Sequence, residues 1–174
     1  MDFQLRPATS DDRQALLAVY ASTRADELAL TGWPEAQCRA FAEMQFNAQW
    51  EHYWQHFPQS QCQLIVVSNW QDGPQQPGAC LGRLWVDRGP DRLHVLDIAL
   101  LPEARGQGLG TALLLSLMDE AGQRGVPLTV SVELHNPARA LYERLGFVPQ
   151  EAPQGIYQRM AWRSVAAHVI EHQE

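Results

Sequence analysis

The chain reads as an α/β protein with a mixed, mostly antiparallel sheet and helices on both faces. Three observations predict this. Segments follow one another as strand, two helices, three strands, helix, strand, helix, two strands. Short turn-like links join the three central strands, which makes them antiparallel neighbours. A strand–helix–strand unit over 93–134 calls for a parallel crossover. A length of 174 residues suits one domain, 1–174, with its own core. Its tail, 164–174, is weakly patterned and fits a short helix or a disordered end.

Taken in order, residues 3–6, FQLR, form a strand that Pro7 ends. Ser10 or Asp11 caps a helix over 11–24. TGWPE, 31–35, is a turn, and Pro34 opens a long helix over 35–56. There Phe46, Trp50, Tyr53, Trp54 and Phe57 recur on one apolar face, with Phe41, Met44 and Ala48 opposite. QLIVVSN, ACLGRLWVD and LHVLDIALL, at 63–69, 79–87 and 93–101, are strands. QDGPQQPG links the first two as a hairpin loop, and RGPD links the next two as a tight turn. Residues 108–123 form a helix stopped at Gly125 and Pro127, and LTVSVEL, 128–134, is the next strand. Asn136 caps a last helix with Pro137 at its first position and Gly146 past its end. Ala138, Leu141, Tyr142 and Leu145 form its apolar stripe, and 147–150 and 156–163 close the sheet.

Composition narrows the function classes. A net charge of -7 argues against a general nucleic-acid binder. No apolar run approaches the roughly 18 residues that span a bilayer. MDFQLRPATSDD has no apolar core of a secretory signal, and Cys38, Cys62 and Cys80 are scattered and odd in number. The expectation is a cytoplasmic protein with reduced thiols, no metal site and no membrane partner. All 13 basic side chains are arginine. Without lysine there is no Walker lysine, Schiff base or lysine general base.

The chemistry concentrates in LPEARGQGLGTALL, 101–114, where Gly106, Gly108 and Gly110 alternate just after Arg105 and open a helix. Such a loop can cradle phosphate oxygens on backbone N–H groups at a positive helix end. It can equally be a turn that lets strand pack on helix. A dinucleotide fingerprint fails, because its third glycine falls on Thr111 or Leu113. A P-loop fails for want of lysine.

R-x-x-G-x-G after a strand, in DIALLPEARGQGLG, resembles the acyl-CoA signature of the GNAT superfamily of N-acetyltransferases. NPARALYERLGF, with Asn136, Ala140, Tyr142, Gly146 and Phe147, resembles that superfamily's later tyrosine-bearing helix. The match is best over 93–162 and weak before residue 60. The resemblance implies a parallel strand pair that splays apart, with acetyl-CoA as acyl donor and no metal. Its acceptor would be a primary amine of a small molecule, peptide or protein. On the net charge of -7 no nucleic-acid partner is expected, and there is room for a homodimer.

Residue by residue, it implies that backbone from Arg105 through Gly106, Gln107, Gly108, Leu109 and Gly110 holds the pyrophosphate. Main-chain groups of Ile98 and Leu100 would take the pantetheine, and an N–H near Leu100 would polarise the thioester carbonyl. Asn136 would cap its helix and contact CoA. Tyr142 is the candidate general acid, its phenol matched in basicity to a thiolate; it also fits a core tyrosine. Asp97 and Glu133, on the two strands that would part, rank first as base, with Glu51, Tyr53 and His135 behind. A carboxylate paired with an arginine is the bland alternative. Trp33, Phe41, Phe46, Trp50, Tyr53 and Trp54 are core or acceptor lining, and Asp26, Glu27 and Glu51 nearby would suit a cationic or aromatic amine. A cysteine relay is not expected, since no cysteine has an evident histidine partner. Rival readings are another acyl-CoA as donor and a non-catalytic acyl-CoA sensor.

Overall fold

The computed structural model describes residues 2–69 and 78–165. The linker expected over 71–78 lies outside them except for Gly78, and so does the tail beyond Val165. The elements are β1 Asp2–Pro7, α1 Arg13–Ala29, α2 Glu35–His56, β2 Gln61–Asn69, β3 Cys80–Arg88, β4 Leu93–Leu100, α3 Leu109–Arg124, β5 Leu128–Glu133, α4 Ala138–Arg144, β6 Val148–Pro149 and β7 Tyr157–Trp162. This is the predicted order, and the sheet is mixed with β4 and β5 as its parallel pair.

Two compact units divide the chain: Met1–Trp85 with Asp97–Gln107, and Val86–Leu96 with Gly108–Glu174. In the first, β1 pairs antiparallel with β2 from Phe3↔Val67 to Pro7↔Gln63. Leu64 through Val67 are all buried, so β2 has a covered residue on both of its faces. Leu16, Val19 and Tyr20 of α1 and Ala42 and Phe46 of α2 complete this core. In the second, β4 and β5 form a ladder of three pairs, Leu93↔Leu128 to Val95↔Val130. β5 pairs antiparallel with β7, and β7 with β6. Leu109, Leu113, Leu117 and Ala121 make the buried stripe of α3, four residues apart.

Helix boundaries follow local chemistry, with two differences, both at α1. Pro34 precedes α2 as expected, and Gly125, at φ 65°, ends α3 in the left-handed region. α1, however, runs five residues past the expected end, because Ala25–Ala29 are mostly good helix formers with no breaker before Gly32. Its entry is also different. A 3-10 turn at Ser10–Asp12 precedes it, and Asp12 accepts the Thr9 N–H at 2.8 Å. Arg6 grips the same carboxylate with two hydrogen bonds, at 2.8 and 2.6 Å. That grip, with the Thr9 N–H, holds the Asp12 carboxyl well below the usual range.

Candidate active site

The glycine segment is a bare helix entrance. After β4, a 3-10 turn at Pro102–Ala104 buries Ala104, and Arg105 is extended. Gly106 and Gly108 then take φ of 70° and 81°, a region other residues enter only with strain. Gly108 stands at the N-cap of α3 with no side chain to offer, and the first turn holds no acidic residue. The first helical bond runs from Ala112 N–H to Gly108 C=O at 2.9 Å. The N–H groups of Leu109, Gly110 and Thr111 therefore have no partner inside the helix. Residues 105–108 are exposed. An uncapped helix of 16 residues thus presents its positive end beside a solvent-exposed loop.

Two side chains shape this loop. Arg105 donates from Nε to the Leu100 carbonyl at 2.9 Å, and from Nη2 to the carbonyl and hydroxyl of Ser22, both at 3.3 Å. Gln107 Nε2 donates to the Glu103 carbonyl at 2.6 Å. In this arrangement the guanidinium ties the loop to the end of β4 and to α1 through Nε and Nη2.

On β4, Asp97 meets a residue that the sequence reading did not single out. Arg83 of β3, 1% exposed, donates from Nε to Asp97 Oδ2 at 2.5 Å. Its Nη2 donates to Gln49 Oε1 on α2, and its Nη1 is buried without a hydrogen-bond partner. Burial works against the Arg83 charge, but attraction to Asp97 and the hydrogen bond between them outweigh it and raise its pKa. The guanidinium also lies 5.8 to 6.0 Å from the ring centroids of Tyr20, Phe46 and Trp85. The only signals in the sequence were a lone arginine in the apolar run ACLGRLWV and a lone aspartate in VLDIALL.

On the aromatic face of α2 only Phe46 is fully buried; Trp50, Tyr53 and Phe57 are half-buried, and Trp54 is 39% exposed. Trp50, Tyr53 and Trp54 pack on Trp85 with centroids 4.9 to 5.5 Å away, and Trp85 donates to the Ser60 hydroxyl at 2.8 Å. Trp33 and Phe41 instead pair edge-to-face at 5.5 Å beside the α1–α2 turn, with Trp33 39% exposed. Met44, Ala48 and Glu51 are exposed.

In the second unit, the Asn136 side-chain oxygen accepts the Ala138 N–H at 2.9 Å, so it caps α4 as expected. Tyr142 is buried and packs edge-to-face on Phe147 with centroids 5.5 Å apart. Glu133 closes β5 opposite Tyr157, whose hydroxyl is 3.5 Å from Oε1. His135 is exposed. Burial pushes the Cys62 thiol up to about 11 and raises that of Cys80, which disfavours a thiolate at either. Among the described residues no three metal-ligating side chains cluster, and no helix is long and apolar enough to cross a membrane.

Residues 27–147 match the family model described as the acetyltransferase (GNAT) family. The chain belongs to this family. Over 59 residues it is 48% identical to the ribosomal protein bS18-alanine N-acetyltransferase of Escherichia coli K12, covering 33% of this chain and 40% of that protein. The chain thus matches less than half the length of these curated relatives. Its fold is similar to that of the PaiA N-acetyltransferase of Thermoplasma acidophilum, solved in complex with coenzyme A. There the TM-score is 0.68 at 15% identity, over 94% of this chain and 100% of that one. It is also similar to the Escherichia coli ribosomal-protein-S18-alanine N-acetyltransferase, with TM-score 0.54 and 21% identity, over 93% and 94% of the two chains. The mixed sheet and its parallel pair are those expected of this family.

Proposed function

We propose that this GNAT protein transfers the acetyl group of acetyl-CoA directly to a primary amine of a small molecule, peptide or protein. The observation that carries the reading is the uncapped start of α3. Backbone N–H groups with no partner inside the helix, at its positive end and next to exposed glycines with open space beside them, suit a pyrophosphate. That the PaiA enzyme was solved with coenzyme A supports the same ligand class. The name of the matched Escherichia coli relatives favours a peptide amine such as an N-terminal alanine as acceptor.

Acetyl-CoA would supply an activated thioester. The backbone from Arg105 through Gly110 would hold its pyrophosphate, with Arg105 Nε and Nη2 and the Gln107 amide setting the loop's course. The backbone of Ile98 and Leu100 would hold the pantetheine, and the Leu100 N–H would polarise the carbonyl. Asn136 would touch CoA besides capping α4. Tyr142, with a phenol near the basicity of a thiolate, would return the proton. Glu133 is preferred to Asp97 as the base, because Asp97 already serves as counter-charge to a buried arginine. The reaction would need no metal and would run in the cytoplasm.

Calorimetric titration with CoA, acetyl-CoA and NAD tests the loop: binding of NAD but not CoA would sink the reading. A thiol-release assay over amines and alanine-terminated peptides tests transfer, with propionyl- and succinyl-CoA as alternative donors. Tyr142→Phe should lower turnover about 100-fold or more. CoA binding with no transfer to any amine would instead mark a sensor.

A further inference from the structure

Three consecutive residues of β3 grip the end of β4, each in a different way. The Leu81 carbonyl accepts the Leu101 N–H at 2.8 Å. Arg83 binds the Asp97 carboxylate. Between them, Gly82 contributes the absence of a side chain. A Cβ built on Gly82 would lie 2.2 Å from the Ala99 carbonyl oxygen and 3.0 Å from the Leu100 Cα. Both are backbone atoms, so no side-chain rotation can relieve the contact. Nor is Gly82 there for its dihedral, since it is not among the glycines with positive φ. It is the space that β4 uses.

That space fixes a direction. The described residues contain no cis peptide, so the Ala99–Leu100 amide is trans, with its C=O and N–H pointing opposite ways. The C=O turns toward Gly82 of β3. The Leu100 N–H on the same peptide therefore points away from β3. Alternation along the strand agrees: Leu101 points its N–H at β3, so Leu100 points to the other side. The Leu100 carbonyl, on that same side, receives Arg105 Nε from the glycine loop.

We propose that Gly82 is a positioning residue for acyl transfer: by leaving room for the Ala99 carbonyl, it aims the Leu100 N–H that polarises the donor's thioester carbonyl. The proposal rests on the acetyl-CoA reading above and adds a residue outside both sequence motifs. Any side chain at 82 displaces the Ala99–Leu100 peptide and turns this donor; the glycine loop, joined to Leu100 through one Arg105 hydrogen bond and separated from it by the 3-10 turn at Pro102–Ala104, should shift less. Gly82 thus acts mainly on the chemical step rather than on the hold on the donor's phosphates.

The test uses the full chain, isotope-labelled for amide NMR, with CoA and acetyl-CoA as probes that differ only by the acyl group. In the wild type, both probes should move the Gly106 and Gly108 amides, and acetyl-CoA alone should further move Leu100. If the loop amides respond to CoA but Leu100 does not distinguish the probes, the proposal is overturned, whatever Gly82 variants do. If no amide responds to either probe, the acetyl-CoA reading itself has failed. In Gly82→Ala the acetyl-dependent shift of Leu100 should vanish while CoA affinity stays within about threefold, and kcat should fall about 10- to 100-fold, short of losing an oxyanion donor outright. Gly89→Ala is the control, because its Cβ would meet nothing nearer than 3.4 Å; it should turn over like the wild type. A folded Gly82→Ala protein with wild-type kcat, or one whose loss lies in donor KM alone, would also overturn the assignment.

Discussion

Among the described residues each unit of this protein buries one basic side chain, and the two are held in opposite charge states. Arg83, in the first unit, is 1% exposed and keeps its charge with Asp97 at 2.5 Å. His94, in the second, is 8% exposed and pairs with the Thr129 hydroxyl at 2.7 Å. Burial lowers its pKa to about 4, with the charges of Arg92 and Arg159 pushing the same way. Burial opposes charge at both sites, and the sign of the neighbour decides the outcome. A guanidinium cannot shed its proton, so its burial requires a counter-charge; an imidazole can, so a hydroxyl suffices.

Removing the counter-charge should break the comparison most severely. Asp97→Ala leaves Arg83 charged and buried with no carboxylate against it, and should cost about 3–5 kcal/mol in urea unfolding. Replacing the pair together, with Arg83→Met and Asp97→Leu, should recover most of that loss. If Asp97→Ala unfolds like the wild type, Arg83 is not held by this pair.

Acid should act on the other site. The folded pKa of His94 lies below its unfolded value of 6.5. Its contribution is therefore complete above pH 6.5 and fades as the pH falls through about 4, where the unfolded chain takes a proton that the fold refuses. The loss over that window should be on the order of 2–3 kcal/mol, from the size of the shift. Asp12, whose carboxyl is held low by Arg6, loses its contribution only at lower pH, so the two windows separate. His94→Gln should flatten the melting profile between pH 6.5 and 4; an unchanged slope there would assign it to another group.

These two sites also mark what the sequence could show. Order of elements, the bounds of α2 and α3, and the Asn136 cap were legible because each depends on residues within a turn or two: Pro34, Gly125, Asn136 with Pro137. The glycine loop was legible because its positive φ values are a local demand that glycine meets. Arg83 with Asp97, and Gly82 with Ala99, were not. Each is a relation between strands 14 or more positions apart, fixed by register, and one strand's residues carry no trace of it. His94 sits in an apolar strand like any core residue, and its bond to Thr129 across the ladder is a relation the strand alone does not announce. The end of α1 was missed for a milder reason: helix propensity continued after the apolar periodicity had faded.

Gly108 separates dihedral demand from crowding. Its φ is 81° and no atom lies within 4 Å of its missing Cβ. Gly108→Ala should cost about 1–2 kcal/mol of left-handed strain. Because the strained residue is the N-cap of α3, the weakened property should be CoA affinity, read by calorimetry, with kcat at saturating donor little changed. That is the reverse of the pattern expected at Gly82.

The smallest effect should have the opposite sign. Gly122 lies inside α3, and its Cβ would meet Ser164 and Trp162 at 3.7 to 3.9 Å, ordinary contact distances. Neither dihedral nor crowding requires glycine there. Gly122→Ala should therefore stabilise the protein by about 0.5–1 kcal/mol, mainly by reducing the freedom of the unfolded chain. It shares a unit with His94, but the nearest atoms to its Cβ among the described residues belong to Ser164 and Trp162, so the gain should be uniform from pH 8 to 4, leaving the acid slope intact. A gain that shrinks on acidification would mean that α3 and the His94 site respond to protonation together, and that the acid loss belongs to more of the second unit than one imidazole.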